Sequence, residues 1–234
     1  MALFFMRKTE EPTGVAVLEA MESGDVYEAQ SQIEALRKQR RQESADAELA
    51  RVGISDFNYQ ELFSNTVVVG DSIASGMSGY GYLSDSQVVA ETGISMSASQ
   101  PYFETAQGLY PTYLYIAFGA NDVAADRYDQ DLFREDFVEM MDMVVEMFPN
   151  AEIYVNSIFP STTPRTTNQP WFEWDNLKLY NEVMEEVCAD YGVTFLDNTD
   201  IVEEEYYEPD GLHFSRAFYP YWLYNMAKGA GFFS

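Results

Sequence analysis

Residues 66–72 read Thr66-Val67-Val68-Val69-Gly70-Asp71-Ser72: a β-rich run, Thr66–Val69, followed by a glycine and then an acid and a hydroxyl. Consecutive strand formers without polar alternation are the pattern of a strand covered on both faces. The glycine behind them marks a sharp turn. The same rhythm recurs downstream. Gln87–Ala90, Tyr113–Phe118, Glu152–Asn156 and Val193–Leu196 are short and mostly apolar, and amphipathic stretches separate them. Leu132, Phe133, Phe137, Met140, Met141, Val144 and Phe148 share one helical face. Leu177, Tyr180, Met184, Val187, Cys188 and Tyr191 share a second, and Phe218 to Met226 forms a third. Strands alternating with helices predict right-handed crossovers, hence an α/β fold whose parallel sheet carries helices on both faces.

In such a sheet chemistry gathers at the carboxyl ends of the strands. Gly70-Asp71-Ser72 follows the first strand, Glu91-Thr92-Gly93 the second and Gly119-Ala120-Asn121-Asp122 the third. Asp210-Gly211-Leu212-His213 follows the fifth and precedes the last helix. Residues far apart in the chain are thereby predicted to share one rim. His213 is the only histidine, so imidazole chemistry has a single address. Acyl transfer through serine needs a hydroxyl on a sharp turn, a base for its proton and donors for the oxyanion. Ser72 supplies the first, His213 the second, and Asp210 is placed to orient the imidazole. The Ser72 and Gly93 amides and the Asn121 side chain are the candidate oxyanion donors.

Composition narrows the partners. The 234 residues carry a net charge of −26. Residues 1–51 hold 7 Lys/Arg against 10 Asp/Glu, and residues 52–234 hold 6 against 29. Such a surface repels nucleic acid and anionic lipid and favours a neutral substrate. One cysteine, Cys188, excludes an intramolecular disulfide, and its place in an apolar stripe marks a core thiol. One histidine and one cysteine do not make a common zinc site, and Glu203-Glu204-Glu205 reads as a solvated turn, so neither metal nor cofactor is expected. No stretch of about 18 apolar residues is present to span a membrane.

Gly70-Asp71-Ser72, Gly93, Gly119-Ala120-Asn121-Asp122 and Asp210-Gly211-Leu212-His213 resemble, in order and spacing, the four blocks of the SGNH or GDSL hydrolases. The resemblance covers about residues 64–230. It implies a flavodoxin-like three-layer α/β/α sandwich with five parallel strands, and an esterase or acyltransferase. It also implies Ser72 as nucleophile, His213 as base, Asp210 as the acid of the triad, and Ser72, Gly93 and Asn121 as oxyanion hole. Ile73 and Ala74 depart from many relatives, where a polar residue often stands. Tyr206–Phe214 and Phe218–Leu223 further resemble a bacterial subgroup with N-terminal helical extensions, often membrane-anchored and working on cell-envelope polymers.

Around this centre, Pro160–Trp174 reads as a proline-rich loop at the active rim. Trp171 and Trp174 can stack on a sugar or line an acyl pocket, and Arg165 can bind a substrate carboxylate. Gly76, Gly79 and Gly81, with Tyr80 and Tyr82, read as a flexible flap without phosphate-loop spacing. Residues 1–60 are expected to form a helical extension and linker, helical and polar over 15–50 with good helix formers and no proline from Asp25 to Ala50, and 61–234 the catalytic domain. Pro12 and Gly24 punctuate the extension, and Arg37-Lys38-Gln39-Arg40-Arg41 reads as a solvated face or a dock for an acidic surface. Met1–Lys8 lacks the charge order of a signal peptide and is either an anchor stub or an apolar start. The resemblance to that anchored subgroup implies a location outside the cytoplasmic membrane or at the cell surface, with the cytoplasm as alternative. The expected function is an O-acyl or acetyl esterase on a carbohydrate or other small ester. The alternatives are an O-acyltransferase on a cell-envelope glycan and a non-catalytic binding or scaffold module.

Overall fold

The structure is a computed structural model that describes residues 26–233. The readings placed on Met1–Lys8, Pro12 and Gly24 lie outside those residues. The described residues divide into two compact units: 26–51 with 231–233, and 52–230. The first is built on the helix α1, Val26–Val52. Good helix formers and the absence of proline account for its length. Within this unit Gln42 Nε2 donates to the Gly231 carbonyl at 2.7 Å. Arg37, Lys38, Arg40 and Arg41 are exposed.

The second unit opens with α2 (Tyr59–Leu62) and then alternates strand and helix. The strands are β1 (Thr66–Gly70), β2 (Val88–Ala90), β3 (Tyr113–Ala117), β4 (Glu152–Asn156) and β5 (Thr194–Leu196). They pair in parallel in the order β2-β1-β3-β4-β5. The helices are α3 (Ser72–Gly79), α4 (Gln100–Gln107), α5 (Ala120–Asp126), α6 (Gln130–Met147), α7 (Thr163–Asn168), α8 (Trp174–Tyr191) and α9 (Tyr219–Gly229). All five residues of β1 are buried, as an unbroken apolar run at the second position of a covered sheet must be. Each of its three valines stabilises the fold by about 1.5–3 kcal/mol when fully buried.

Two local readings are corrected. The glycines after Ser72 do not make a flap: Gly76 lies inside α3, where a Cβ would stand 2.0 Å from the Tyr219 hydroxyl. That hydroxyl donates to the Ile73 carbonyl at 3.0 Å, so α9 seats against the glycine and fixes the helix behind Ser72. The segment 160–174 is likewise not one open loop. It contains α7 and a turn of 3₁₀ helix at Pro170–Phe172. Pro164 sits in the first turn of α7, where its missing N–H has no partner to lose.

Beneath the carboxyl edge a buried amide network ties β4, β5 and α9. Asn156 Oδ1 accepts from Trp222 Nε1 at 3.0 Å and from Asn198 Nδ2 at 3.1 Å, while its Nδ2 donates to the Ile116 carbonyl. Ser157 Oγ accepts the Asn198 N–H at 2.9 Å. Buried polar groups satisfied in this way specify one arrangement of the strands and the last helix.

Candidate active site

Ser72 is the first residue of α3, directly behind β1. The turn is tight: a Cβ on Gly70 would stand 2.5 Å from the Ala117 carbonyl oxygen and 2.6 Å from the Ala74 Cβ. Only glycine lets β1 pass so close to β3 while the chain swings into the helix. Asp71 is buried, and its carboxylate caps α3 by accepting the Ile73 N–H at 2.9 Å. Ile73 and Ala74, the apolar pair after the serine, are buried at 6% and 0% exposure, so they serve packing under the site rather than its rim.

His213 arrives from the other end of the sheet. Its Nε2 lies 2.9 Å from Ser72 Oγ, and its Nδ1 lies 2.5 Å from Asp210 Oδ2. The remaining Asp210 oxygen accepts the Leu212 and His213 N–H groups, each at 3.0 Å. One carboxylate therefore shapes the turn with one oxygen and orients the imidazole with the other. Burial pushes the Asp210 carboxyl up, but the bonds from His213 and from the two amides outweigh it and hold the group below its ordinary value. The loop is closed at its base by the Tyr207–Phe214 bridge and by Glu208 N–H to the His213 carbonyl at 2.8 Å. Phe214 stacks on Phe218 at 4.0 Å, and both meet Phe159 edge-on at 5.1 Å. An aromatic bed thus carries the histidine.

Gly211, at φ +72, packs into the 160–174 segment: a Cβ there would meet Thr162 Oγ1 at 2.4 Å. Thr162 N–H donates to the Gly211 carbonyl at 2.9 Å, and Tyr207 OH donates to the Pro160 carbonyl at 2.5 Å. Positive φ and close approach both require glycine at 211.

On the other side of Ser72, β2 and β3 flank β1, so their carboxyl ends bring Gly93 and Asn121 to the same rim. Gly93 is exposed at φ +79. Asn121 lies in the first turn of α5, and its Nδ2 donates one hydrogen to the Ile94 carbonyl at 2.9 Å. The second hydrogen of that amide makes no bond among the described residues.

The proposed substrate-binding residues separate into two settings. Arg165 lies on α7, and its guanidinium stacks on Phe172 at 4.5 Å. Its backbone N–H is 3.1 Å from where a Gly211 Cβ would stand. Trp171 is half-buried, with Arg127 over its ring at 4.8 Å and its carbonyl taken by Asn176. Trp174 opens α8 and is 43% exposed. Only Trp174 presents a large free aromatic surface; Trp171 already has a guanidinium on its ring. The Arg127–Trp171 pairing has no sequence signal, because 44 positions separate the partners in the chain.

Two buried acids stand under the rim. Burial pushes the Asp71 carboxyl up from 3.8 to about 6, against the bond from Ile73 and the nearby imidazole. Burial pushes Asp122 up to about 7, against the bond from Met96, with Asp71 and Asp126 adding repulsion. Both folded-state values lie above the unfolded one, so the folded state holds these protons more tightly. Their stabilising contribution is complete below pH 3.8 and is lost as pH rises through 6 to 7. The limiting slope is about 1.4 kcal/mol per pH unit for each acid. Asp122→Asn removes one of the two titrations. In guanidinium unfolding, its stability relative to the wild type is expected to rise from pH 5 to pH 8. A difference that stays flat over that range contradicts the assignment. Cys188, buried in α8, has its thiol pushed up to about 12 by desolvation and plays no part at the rim.

A serine, an imidazole and a carboxylate hydrogen-bonded in series at the carboxyl edge of this parallel sheet define a class: α/β/α enzymes that carry the side chains of nucleophilic acyl transfer. The family model of the GDSL-like lipases and acylhydrolases matches residues 68–220. The chain belongs to that family and is an enzyme of ester hydrolysis. Solved structures share the fold. A GDSL-like lipase of Bacteroides thetaiotaomicron is 17% identical over 75% of this chain and 97% of its own, with a TM-score of 0.55. A lipase/acylhydrolase of Enterococcus faecalis is 18% identical over 71% and 95%, also at 0.55. A family 3 carbohydrate esterase of Clostridium thermocellum is 16% identical over 70% and 92%, at 0.54. A search of curated proteins finds no match. Among the described residues no helix is long and apolar enough to cross a membrane.

Proposed function

We propose that the chain is a serine esterase that removes O-acyl groups, acetyl foremost, from a carbohydrate or another small neutral ester. The observation that carries this reading is the hydrogen-bond series from Ser72 Oγ through His213 to Asp210. In it, His213 Nε2 takes the hydroxyl proton as Oγ attacks the acyl carbon, and Asp210 stabilises the imidazolium. The oxyanion is received by the Ser72 and Gly93 amides and the free Asn121 N–H. The imidazolium then protonates the departing alkoxide. Water, deprotonated by the same imidazole, frees the acid and restores the hydroxyl.

Two features favour an ester of a neutral, ring-bearing alcohol. The 29 acidic against 6 basic residues of 52–234 repel polyanions, and Trp174 offers an open aromatic surface where α8 begins, after β4. The Clostridium thermocellum neighbour is a carbohydrate esterase, which agrees with that choice. The test is a panel of acetylated sugars and p-nitrophenyl acetate, with products analysed for free acid and for acyl passed to a second sugar. Free acetate from the sugars supports the proposal; acyl transfer as the main product overturns hydrolysis in favour of acyltransfer.

A second expected outcome locates the sugar. Trp174→Ala is expected to raise KM for an acetylated sugar by about threefold to tenfold, the value of one aromatic contact. KM for p-nitrophenyl acetate, which reaches the rim without the sugar, is expected to stay within twofold. Equal changes for both substrates exclude Trp174 as the sugar platform.

A further inference from the structure

Asp122 is buried, at 2% exposure, and takes no part in the acid–base series. It follows Asn121 in the first turn of α5. Its Oδ1 accepts the Met96 N–H at 2.8 Å, and Asn121 Nδ2 donates to the Ile94 carbonyl at 2.9 Å. Two adjacent side chains therefore grip one short segment, the first by a carbonyl and the second by an amide. Gly93 lies immediately before that segment. It is exposed, and nothing lies within 4 Å of where its Cβ would stand, so packing does not hold it. Its position is set by its flanks: Glu91 N–H donates to the Gly70 carbonyl at 3.3 Å on one side, and on the other its aim depends on what fixes residues 94–96. Farther along, Ser99 Oγ donates to the Met96 carbonyl at 2.6 Å, which anchors the far side of the same turn.

Oxyanion donors act only when aimed, before the reaction, at the point where charge develops. We infer that Asp122 is a positioning residue for the oxyanion hole: through the Met96 amide it holds the segment that aims the Gly93 N–H. A second observation agrees. Asp122 Oδ2 is buried and has no hydrogen-bond partner, so the carboxyl spends its burial on the single bond to Met96. The inference rests on the reading of Ser72, Gly93 and Asn121 given above.

The test uses the full chain and p-nitrophenyl acetate. Asp122→Ala is expected to lower kcat by about 10²-fold, the value of one oxyanion donor, with KM within twofold. Asp122→Asn keeps an acceptor for the Met96 N–H and is expected to restore kcat to within about threefold of the wild type. Hydrogen exchange at the Met96 amide should be slow in the wild type and in Asp122→Asn, and fast in Asp122→Ala. If the alanine variant does not fold, Met96→Pro deletes the donor instead; Ser95 is extended, at φ −97 and ψ 167, as a residue before proline must be. It is expected to show the same fall in kcat. Wild-type kcat in either donor- or acceptor-less variant overturns the inference, and so does an asparagine variant as impaired as the alanine one. Ser72→Ala separates the two claims. If it remains active, the underlying site reading fails. If it is inactive while Asp122→Ala is not, only the role of Asp122 fails.

Discussion

Replacing Ser72 by alanine lowers kcat/KM for p-nitrophenyl acetate by about 10⁴- to 10⁶-fold, the range expected when a serine nucleophile is removed. The structure offers no substitute at the same place. The nearest hydroxyl in the helix, Ser75 Oγ, donates to the Ser72 carbonyl at 2.6 Å and is bound into the helix backbone. Ser72 itself is half-buried, so its loss opens little space and the fold is expected to hold. Residual turnover comes from binding and the oxyanion donors alone. Labelling by a fluorophosphonate is the independent readout: the wild type reacts at one serine and the variant does not. Equal labelling of the two proteins places the nucleophile elsewhere.

The second large effect belongs to Asp210→Asn, expected to lower kcat by about 10⁴-fold with the fold intact. The substitution is informative because Asp210 has two duties. Its Oδ1 accepts two backbone amides that shape the 210–213 turn, and the amide oxygen of the variant can still accept them. Its Oδ2 faces His213 Nδ1 at 2.5 Å, and there the variant presents an NH₂ donor. The imidazole then carries its proton on Nε2, facing Ser72 Oγ, and has no lone pair for the hydroxyl proton. As the chain has one histidine, its nitrogen chemical shifts report that tautomer without overlap. Unchanged kcat, or an unchanged tautomer with lost activity, rules out the orienting role.

The strands were legible because a parallel sheet covered on both faces demands unbroken runs such as Val67-Val68-Val69 and Ile153–Val155, which few other structures require. The expected ends differ from the observed by one residue at Gly70, Gln87, Phe118 and Val193, where pairing rather than side-chain type decides. The rim residues were legible for a related reason: in an all-parallel sheet every strand ends at the same edge. What stayed hidden depends on partners distant in the chain. Gly76 looks like flexibility until Tyr219 is seated on it. Trp171 looks like a free platform until Arg127 covers it, and Asp122 looks like a spare acid until Met96 donates to it. Local composition registers a residue's own preferences, not the neighbour that uses it.

Gly211 and Thr162 carry a consequence for how this enzyme can diversify. Residues 160–174 and the turn that carries His213 and Asp210 are clasped by Thr162 N–H to the Gly211 carbonyl and by Tyr207 OH to the Pro160 carbonyl. The two form one mechanical piece. Exchanging residues 160–174 for another loop is therefore expected to carry any misfit into the tilt of His213, so a change in that loop and a change in turnover are coupled. A graft that keeps Pro160, Thr162 and Gly211 carries the clasp with it and frees the remainder of the loop to vary.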